Sequence, residues 1–419
     1  MRAKKEEFDV FFQNMNKRGN DFQNINNLIA SNEGNNFFLG VRENYLSIYY
    51  MGMSIASVRA IKKGGGCSYS VSYFYLKGVK DLNGNKPYDD KSKGYFSLSS
   101  DVFWEEENFK QILKNVRKHV LGYGELAHVY LEKACQQWII NNNNSNPKSD
   151  WYYVDMEYIY KEDGEKTDHP FGRADIIAIS KKKDNNGYFQ LAFVELKVGT
   201  GAYGISIKVD KEIKDAEERK ARRDQVQLWL KDSLWREEVK GVKLGSGLAS
   251  HVVDFMHFFS DDKATAQLRK EIVGIINVHK QFGLINEDLS LYSLESDNQI
   301  NSRTDIHIVT YSKAPEIEKN MLSELAQSKY EESTLEEMKL EFAKYFYEIP
   351  GASSLPIETL INARDISGLI ELKQDYLKFM NSDDNQIECV QHINNIPHRF
   401  VYRFIDLNNA EANPVECIV

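Results

Sequence analysis

Cysteine is scarce in this chain: four residues, Cys67, Cys135, Cys389 and Cys417, among 419, with no CxxC or CxH spacing. That excludes a disulfide framework and a cysteine-based zinc site, and free thiols in a reducing compartment are expected. Excess basic charge is also missing. The 53 Lys and Arg stand against 62 Asp and Glu, for a net charge of −9. No global field therefore advertises nucleic acid, although a metal can screen an acidic centre and only a binding groove needs to be basic. No uninterrupted apolar run approaches a membrane span, and the opening MRAKKEEFDVFF has no secretory apolar segment. A cytoplasmic protein without a membrane partner is the expectation. Internal repeats and long low-complexity linkers are lacking too.

What is present is globular material. Hydrophobic residues make up 42% and aromatics 12%, with 23 Tyr and 22 Phe, which argues against wholesale disorder. The length leaves room for two or three domains. Residues 5–30 read as one or two polar helices with a stripe of Phe8, Phe11, Phe12 and Phe22. Alternating apolar and polar residues, broken at Glu43-Asn44, Met51-Gly52 and Gly64-Gly65-Gly66, predict an antiparallel meander over 35–100. Its tyrosines offer faces for base stacking, but core and cross-strand packing is the better account. The period changes to helical over 107–140, with a break near Gly122 and Gly124, and the Asn run 141–144 reads as a solvated loop.

Three strand-like runs follow, at 151–160, 171–180 and 189–198, separated by turn-rich segments that favour antiparallel pairing. Next come a long charged helix over 210–238 and further strands at 271–278 and 304–311. A mostly helical region with a late strand at 398–407 completes the chain. The expected division is a β-rich region at 1–108, an α/β core at 109–312 and a mostly helical region at 313–419.

The stretch 191-LAFVELKVGTGAYG-204 admits two chemistries. Gly199-x-Gly201-x-x-Gly204 has the spacing of a dinucleotide-binding turn. Such a turn must lead through a helix to a second apolar strand ending in an acid. Here it leads instead into a long charged helix, and its own strand carries Glu195 and Lys197, so the cofactor reading fails on context. The run 244-LGSGLAS-250 lacks the Lys-Ser/Thr ending of a phosphate loop.

The other chemistry uses Glu195 and Lys197, which share one strand face because they are two apart. Asp175 lies on the preceding strand, where hairpin pairing can bring it beside Glu195. Two adjacent carboxylates repel unless a cation neutralises them, and an oxygen-rich site of this kind suits Mg²⁺ or Mn²⁺. A lysine alongside can position or deprotonate water. Opposite charges also commonly share a solvated strand face for no chemical reason.

The hairpin, the Asp, the Glu-x-Lys and the following helix together resemble the PD-(D/E)XK nuclease superfamily, in particular its RecB-like branch, over roughly residues 120–230. The resemblance implies a restriction-endonuclease-like mixed sheet flanked by helices. It implies a metal held by Asp175, Glu195 and the carbonyl of Leu196, with Lys197 acting on the attacking water. Ala174 stands where many members have Pro. From the upstream helix the resemblance implies a further metal-binding Glu, and Glu125 is favoured over Glu132. Downstream, Gln225 and Trp229 match Gln-x-x-x-Tyr with Trp for Tyr, and Gln227 competes with Gln225.

The expected activity is Mg²⁺-dependent phosphodiester hydrolysis, in DNA by preference, serving defence against foreign DNA or repair. A catalytically silent module of the same fold within a larger assembly is the alternative, and a phosphohydrolase acting on small nucleotides is a third reading. A homodimer or a partner protein is compatible with the flanking regions.

Around this centre, Arg173 could touch a phosphate or pair outward with an acid, and His128 is read as a satisfied surface histidine. His251 and His257 lack metal-clamp spacing and are read as packing. Arg219, Lys220, Arg222 and Arg223 could follow a phosphate backbone but sit among acids, and Lys181-Lys182-Lys183 reads as a solubilising turn.

Overall fold

In the computed structural model of the protein, the described residues are 5–17, 20–30, 37–61, 63, 65–87, 94–122, 127–160, 173–198, 207–209, 213–221, 242–244, 251, 255, 258–259, 261–311, 386–393 and 396–406. Two helices, α1 (Lys5–Lys17) and α2 (Asp21–Ala30), come first. Five strands follow, β1 (Phe37–Val41), β2 (Leu46–Tyr50), β3 (Met53–Ala60), β4 (Cys67–Ser72) and β5 (Tyr95–Ser99), paired in sequence order as the antiparallel sheet that the alternation predicts. The β2–β3 turn is Met51-Gly52, with φ of 53° and 74°. Positive φ at both positions is the type I′ geometry that matches strand twist. The turn docks on the helix α5 (Ala127–Ser145), where Gly52 N donates to Gln137 Oε1 at 2.6 Å. A Cβ on Gly52 would lie 2.2 Å from the backbone of Lys133, so glycine is required both by conformation and by contact.

Helix α3 (Ser100–Phe103) and α4 (Glu106–Gly122) lead into α5. The second sheet has six strands: β6 (Trp151–Ile159), β7 (Arg173–Lys183), β8 (Phe189–Val198), β11 (Ile300–Tyr311), β12 (Gln386–Ile393) and β13 (Ile396–Asp406). Its order is β12-β13-β11-β8-β7-β6. The strands β6, β7 and β8 are antiparallel neighbours, β11 runs parallel to both β8 and β13, and β12 is antiparallel to β13. The pair β9 (Ile207–Val209) and β10 (Val242–Leu244) stands apart from both sheets. Helix α6 (Asp262–Gln281) packs on the sheet at β6, its N-terminus capped by Asp261, whose carboxylate accepts from Lys263 N and Ala264 N.

Several expectations are corrected. The run 271–278 is the second half of α6, not a strand. Leu268, Ile272, Ile275, Ile276 and His279 are buried at helical spacing, and the apolar run is one face of a twenty-residue amphipathic helix. The Asn run 141–144 is helical, not a solvated loop. Asn143 is buried and donates to the Ile139 carbonyl at 2.8 Å, while Asn144 exchanges hydrogen bonds with the backbone of Tyr153. Lys181 is not a solubilising residue. It is buried, and its Nζ donates to the Asn143 and Asn146 carbonyls at the C-terminal end of α5; burial pulls its pKa down to about 8. In the C-terminal region the described residues form the strands β12 and β13, while 312–385 lie outside them.

One hydrophobic core runs through both halves, from Phe8 to Val309. Phe12 and Phe22 meet Phe282 with ring centroids 5.3 and 4.9 Å apart, fastening the first helices to the end of α6. Arg42, at the end of β1, places Nη1 2.7 Å from Oδ1 of the fully buried Asp155 on β6, with Nη2 bound to the Tyr49 hydroxyl. Cys67 and Cys135 are free and buried. Among the described residues no helix is long and apolar enough to cross a membrane.

His279 joins three elements. Its Nε2 donates to the Leu39 carbonyl on β1 at 3.2 Å, and its Nδ1 accepts from the Tyr152 hydroxyl on β6 at 2.9 Å. Burial lowers its pKa from 6.5 to about 4. The folded state keeps the ring neutral while the unfolded chain protonates below pH 6.5, so stability falls as pH drops through the window from 6.5 to about 4. The expected loss is on the order of 3 kcal/mol. Denaturant unfolding across that window should show it in the wild type and not in His279→Gln; equal acid sensitivity in the two would contradict it.

Candidate active site

The β7–β8 hairpin decides where the chemistry-bearing residues stand. Its turn is held by Asp184, whose carboxylate accepts from the Asn186 and Tyr188 backbone amides at 2.9 Å each, from Gln190 Nε2 at 2.6 Å and from Asn301 Nδ2 at 3.2 Å. These bonds, the one from the Tyr188 amide foremost, hold the carboxyl below its ordinary range. Beyond a register shift between Ile179 and Lys183, the pairing runs regularly to Ile176 opposite Val194. Continued by one position, the same register faces Asp175 with Glu195.

The two acids are set differently. Asp175 is half-buried and its Oδ2 accepts from the Leu196 backbone amide at 2.8 Å, tying β7 to β8 at the level of the Glu-x-Lys motif. Glu195 is 1% exposed. Its Oε1 lies 3.4 Å from Nδ1 of His251, a contact that becomes an ion pair when the imidazole is protonated. On the same face of β8, Phe193 is covered by Phe255, Phe258 and Phe259, with ring centroids 5.2, 5.5 and 4.7 Å away. The helical residues of 251–259 therefore roof the face on which Glu195 stands.

Glu157 stands on β6, the strand next to β7. It lies between Met156, opposite Ile176, and Tyr158, opposite Ala174, and so at the level of Asp175. Its φ is 53°, a left-handed conformation for a non-glycine residue; strain of this kind is on the order of 1–3 kcal/mol and gathers at functional sites. Lys133 Nζ and Arg173 Nη2 lie 3.4 and 3.6 Å from its Oε2. Arg173 thus takes the outward pairing with an acid.

The structure accordingly joins the Asp175 carboxylate to the backbone of Leu196, the residue after Glu195. Lys197 is described as backbone in β8, opposite Thr310, and its side chain lies outside the description. Glu125 and Gln225 lie outside the described residues, as do Gln227, Trp229, Arg222 and Arg223. Glu132 is half-buried on α5. Among the described residues, no group of three or more His, Cys, Asp or Glu side chains is placed to hold a metal ion. The carboxylate pair does offer the hard oxygen donors that suit Mg²⁺ or Mn²⁺.

Sequence reasoning missed two residues. His251 carries no motif spacing, and its contact with Glu195 exists only through the chain's return over β8. Glu157 was one acid in an alternating strand, with nothing to mark its positive φ. Comparison of the chain with protein-family models, with curated proteins and with solved structures gives no match.

Burial of the Glu195 carboxylate carries a desolvation cost. In chelator, Glu195→Gln should therefore raise the unfolding free energy by about 1 kcal/mol or more. Calorimetry of the two proteins tests this; a marked loss of stability would make Glu195 a structural anchor for His251.

Proposed function

We propose that the chain is a metal-dependent nuclease of the PD-(D/E)XK type, hydrolysing phosphodiester bonds in nucleic acid, with DNA the favoured substrate. One observation carries the proposal: the hairpin register sets Asp175 at the level of Glu195, with the Leu196 amide bound to the Asp175 carboxylate. The surrounding order of elements supports it. Helix α5, the antiparallel strands β6, β7 and β8, and the parallel β11 form a mixed sheet with packed helices, as the restriction-endonuclease-like arrangement requires.

In this mechanism Asp175, Glu195 and the Leu196 carbonyl would hold the cation, with Glu125 as a further ligand. When bound, Mg²⁺ or Mn²⁺ supplies the positive charge that polarises the phosphodiester and acidifies a water. Lys197 would orient the attacking water and take up its proton, with Gln225 steadying the lysine. Phe255, Phe258 and Phe259 cover Phe193 on the Glu195 face of β8 and exclude solvent there, which strengthens charge interactions. Defence against foreign DNA or repair would both use such an activity.

A catalytically silent module of the same fold is the second reading, favoured by the His251–Glu195 contact, which lets an imidazole stand where a cation would balance the carboxylate. Incubation with linear, circular and single-stranded DNA and with RNA, in Mg²⁺, Mn²⁺ or chelator, separates the two. Cleavage that needs metal and falls by about three orders of magnitude or more in Lys197→Ala is expected. Unchanged cleavage in that variant would remove Lys197 from the mechanism, and no cleavage of any polymer would favour the silent module.

A further inference from the structure

The buried acid of the candidate centre has a nitrogen neighbour. Glu195 is 1% exposed, and its Oε1 lies 3.4 Å from Nδ1 of His251, whose side chain is 20% exposed. That separation is wider than an ordinary N–H···O hydrogen bond, which spans about 2.7–3.2 Å. Two donors that share one divalent transition ion, each about 2.1 Å from it, can stand up to about 4.2 Å apart. The nitrogen and the oxygen can therefore take one cation between them without either moving.

The imidazole is placed against an aromatic wall. Its ring centroid lies 6.4 Å from that of Phe255, which meets Phe193 edge-on at 5.2 Å. Phe193 stands two residues before Glu195, on the same face of β8, so the wall relates the imidazole to the strand that carries the carboxylate. Phenylalanines close the inner side of this face, and the part-exposed His251 leaves an approach from solvent.

A nitrogen donor changes which ion is kept. Mg²⁺ takes oxygen ligands and retains several waters in a near-octahedral shell. Imidazole favours the borderline transition ions, and affinity at a site with nitrogen rises along the series towards Co²⁺ and Zn²⁺.

We propose that His251 is a nitrogen ligand of the cation at Glu195, and that the centre therefore takes a borderline transition ion such as Zn²⁺, Fe²⁺ or Co²⁺ ahead of Mg²⁺. The inference rests on the reading of Asp175 and Glu195 as a cation site and adds His251 to its oxygen donors. An imidazole that merely balanced the carboxylate would compete with the cation, so the two roles of His251 have opposite signs in a binding experiment.

Co²⁺ is the probe, titrated calorimetrically into the full chain with and without Mg²⁺. The wild type should bind Co²⁺ and keep it in about a hundredfold excess of Mg²⁺. His251→Gln, which is close in size, should bind Co²⁺ about tenfold or more weakly, with its Mg²⁺ affinity unchanged. Proton NMR of the Co²⁺-loaded wild type should show a strongly shifted imidazole N–H resonance that disappears in D₂O. This signal reports ligation directly, whether or not the variant folds. Bound Co²⁺ without that resonance, or a His251→Gln variant that binds Co²⁺ as tightly as the wild type or more tightly, would overturn His251 as a ligand and leave the carboxylate site standing. A wild type that binds neither Co²⁺ nor Mg²⁺ would overturn the cation site and this inference with it.

Discussion

The register of one hairpin underlies the whole candidate site. Asp184 closes the β7–β8 turn with four hydrogen bonds, and from that turn outward the ladder sets Asp175 at the level of Glu195. A slip of one residue would reverse the faces of an entire strand. The Leu196 amide on Asp175 is the far-end lock of the same register. Parallel pairing of β11 on the other side of β8 then buries the motif strand between two neighbours, opposing Ile308 to Glu195. The carboxylates are therefore held by backbone geometry, which is the kind of rigidity a charged site needs.

The N-terminal region is continuous with this scaffold. Arg42 reaches the buried Asp155 on β6, His279 bridges β1 and β6, and the Met51-Gly52 turn seats on α5. Each link crosses from the first sheet to β6 or α5, which pack beside the strands that carry Asp175 and Glu195. Movement of one sheet against the other would break a buried ion pair and leave buried polar groups unsatisfied, both costly.

Much of this was legible in the sequence. Alternation pointed to the antiparallel meander of the first sheet, and strand-like apolar runs to β6, β7, β8 and β11. The relation of Asp175 to Glu195 followed from a turn-rich segment between two strands. Three signals misled for physical reasons. The run EIVGIINV is apolar enough for a strand, and its helical period is apparent only over the longer stretch from Asp262. The Asn run is polar by composition, yet its side chains bond carbonyls one turn back and the backbone of β6. Lys181 belongs to a charge run, but its side chain turns inward onto the end of α5 while Lys182 and Lys183 stay exposed. His251 was beyond sequence reasoning altogether, since its contact with Glu195 depends on how the chain returns across β8.

The central claim is that Asp175 and Glu195 share one divalent cation. Calorimetric titration of Mn²⁺ into the full chain, beside Asp175→Asn and Glu195→Gln, tests it most directly. The account predicts binding in the wild type and its loss in both variants, because removing either charge leaves too few oxygen donors. A wild type that does not bind Mn²⁺, or variants that bind it as tightly as the wild type, would contradict the account.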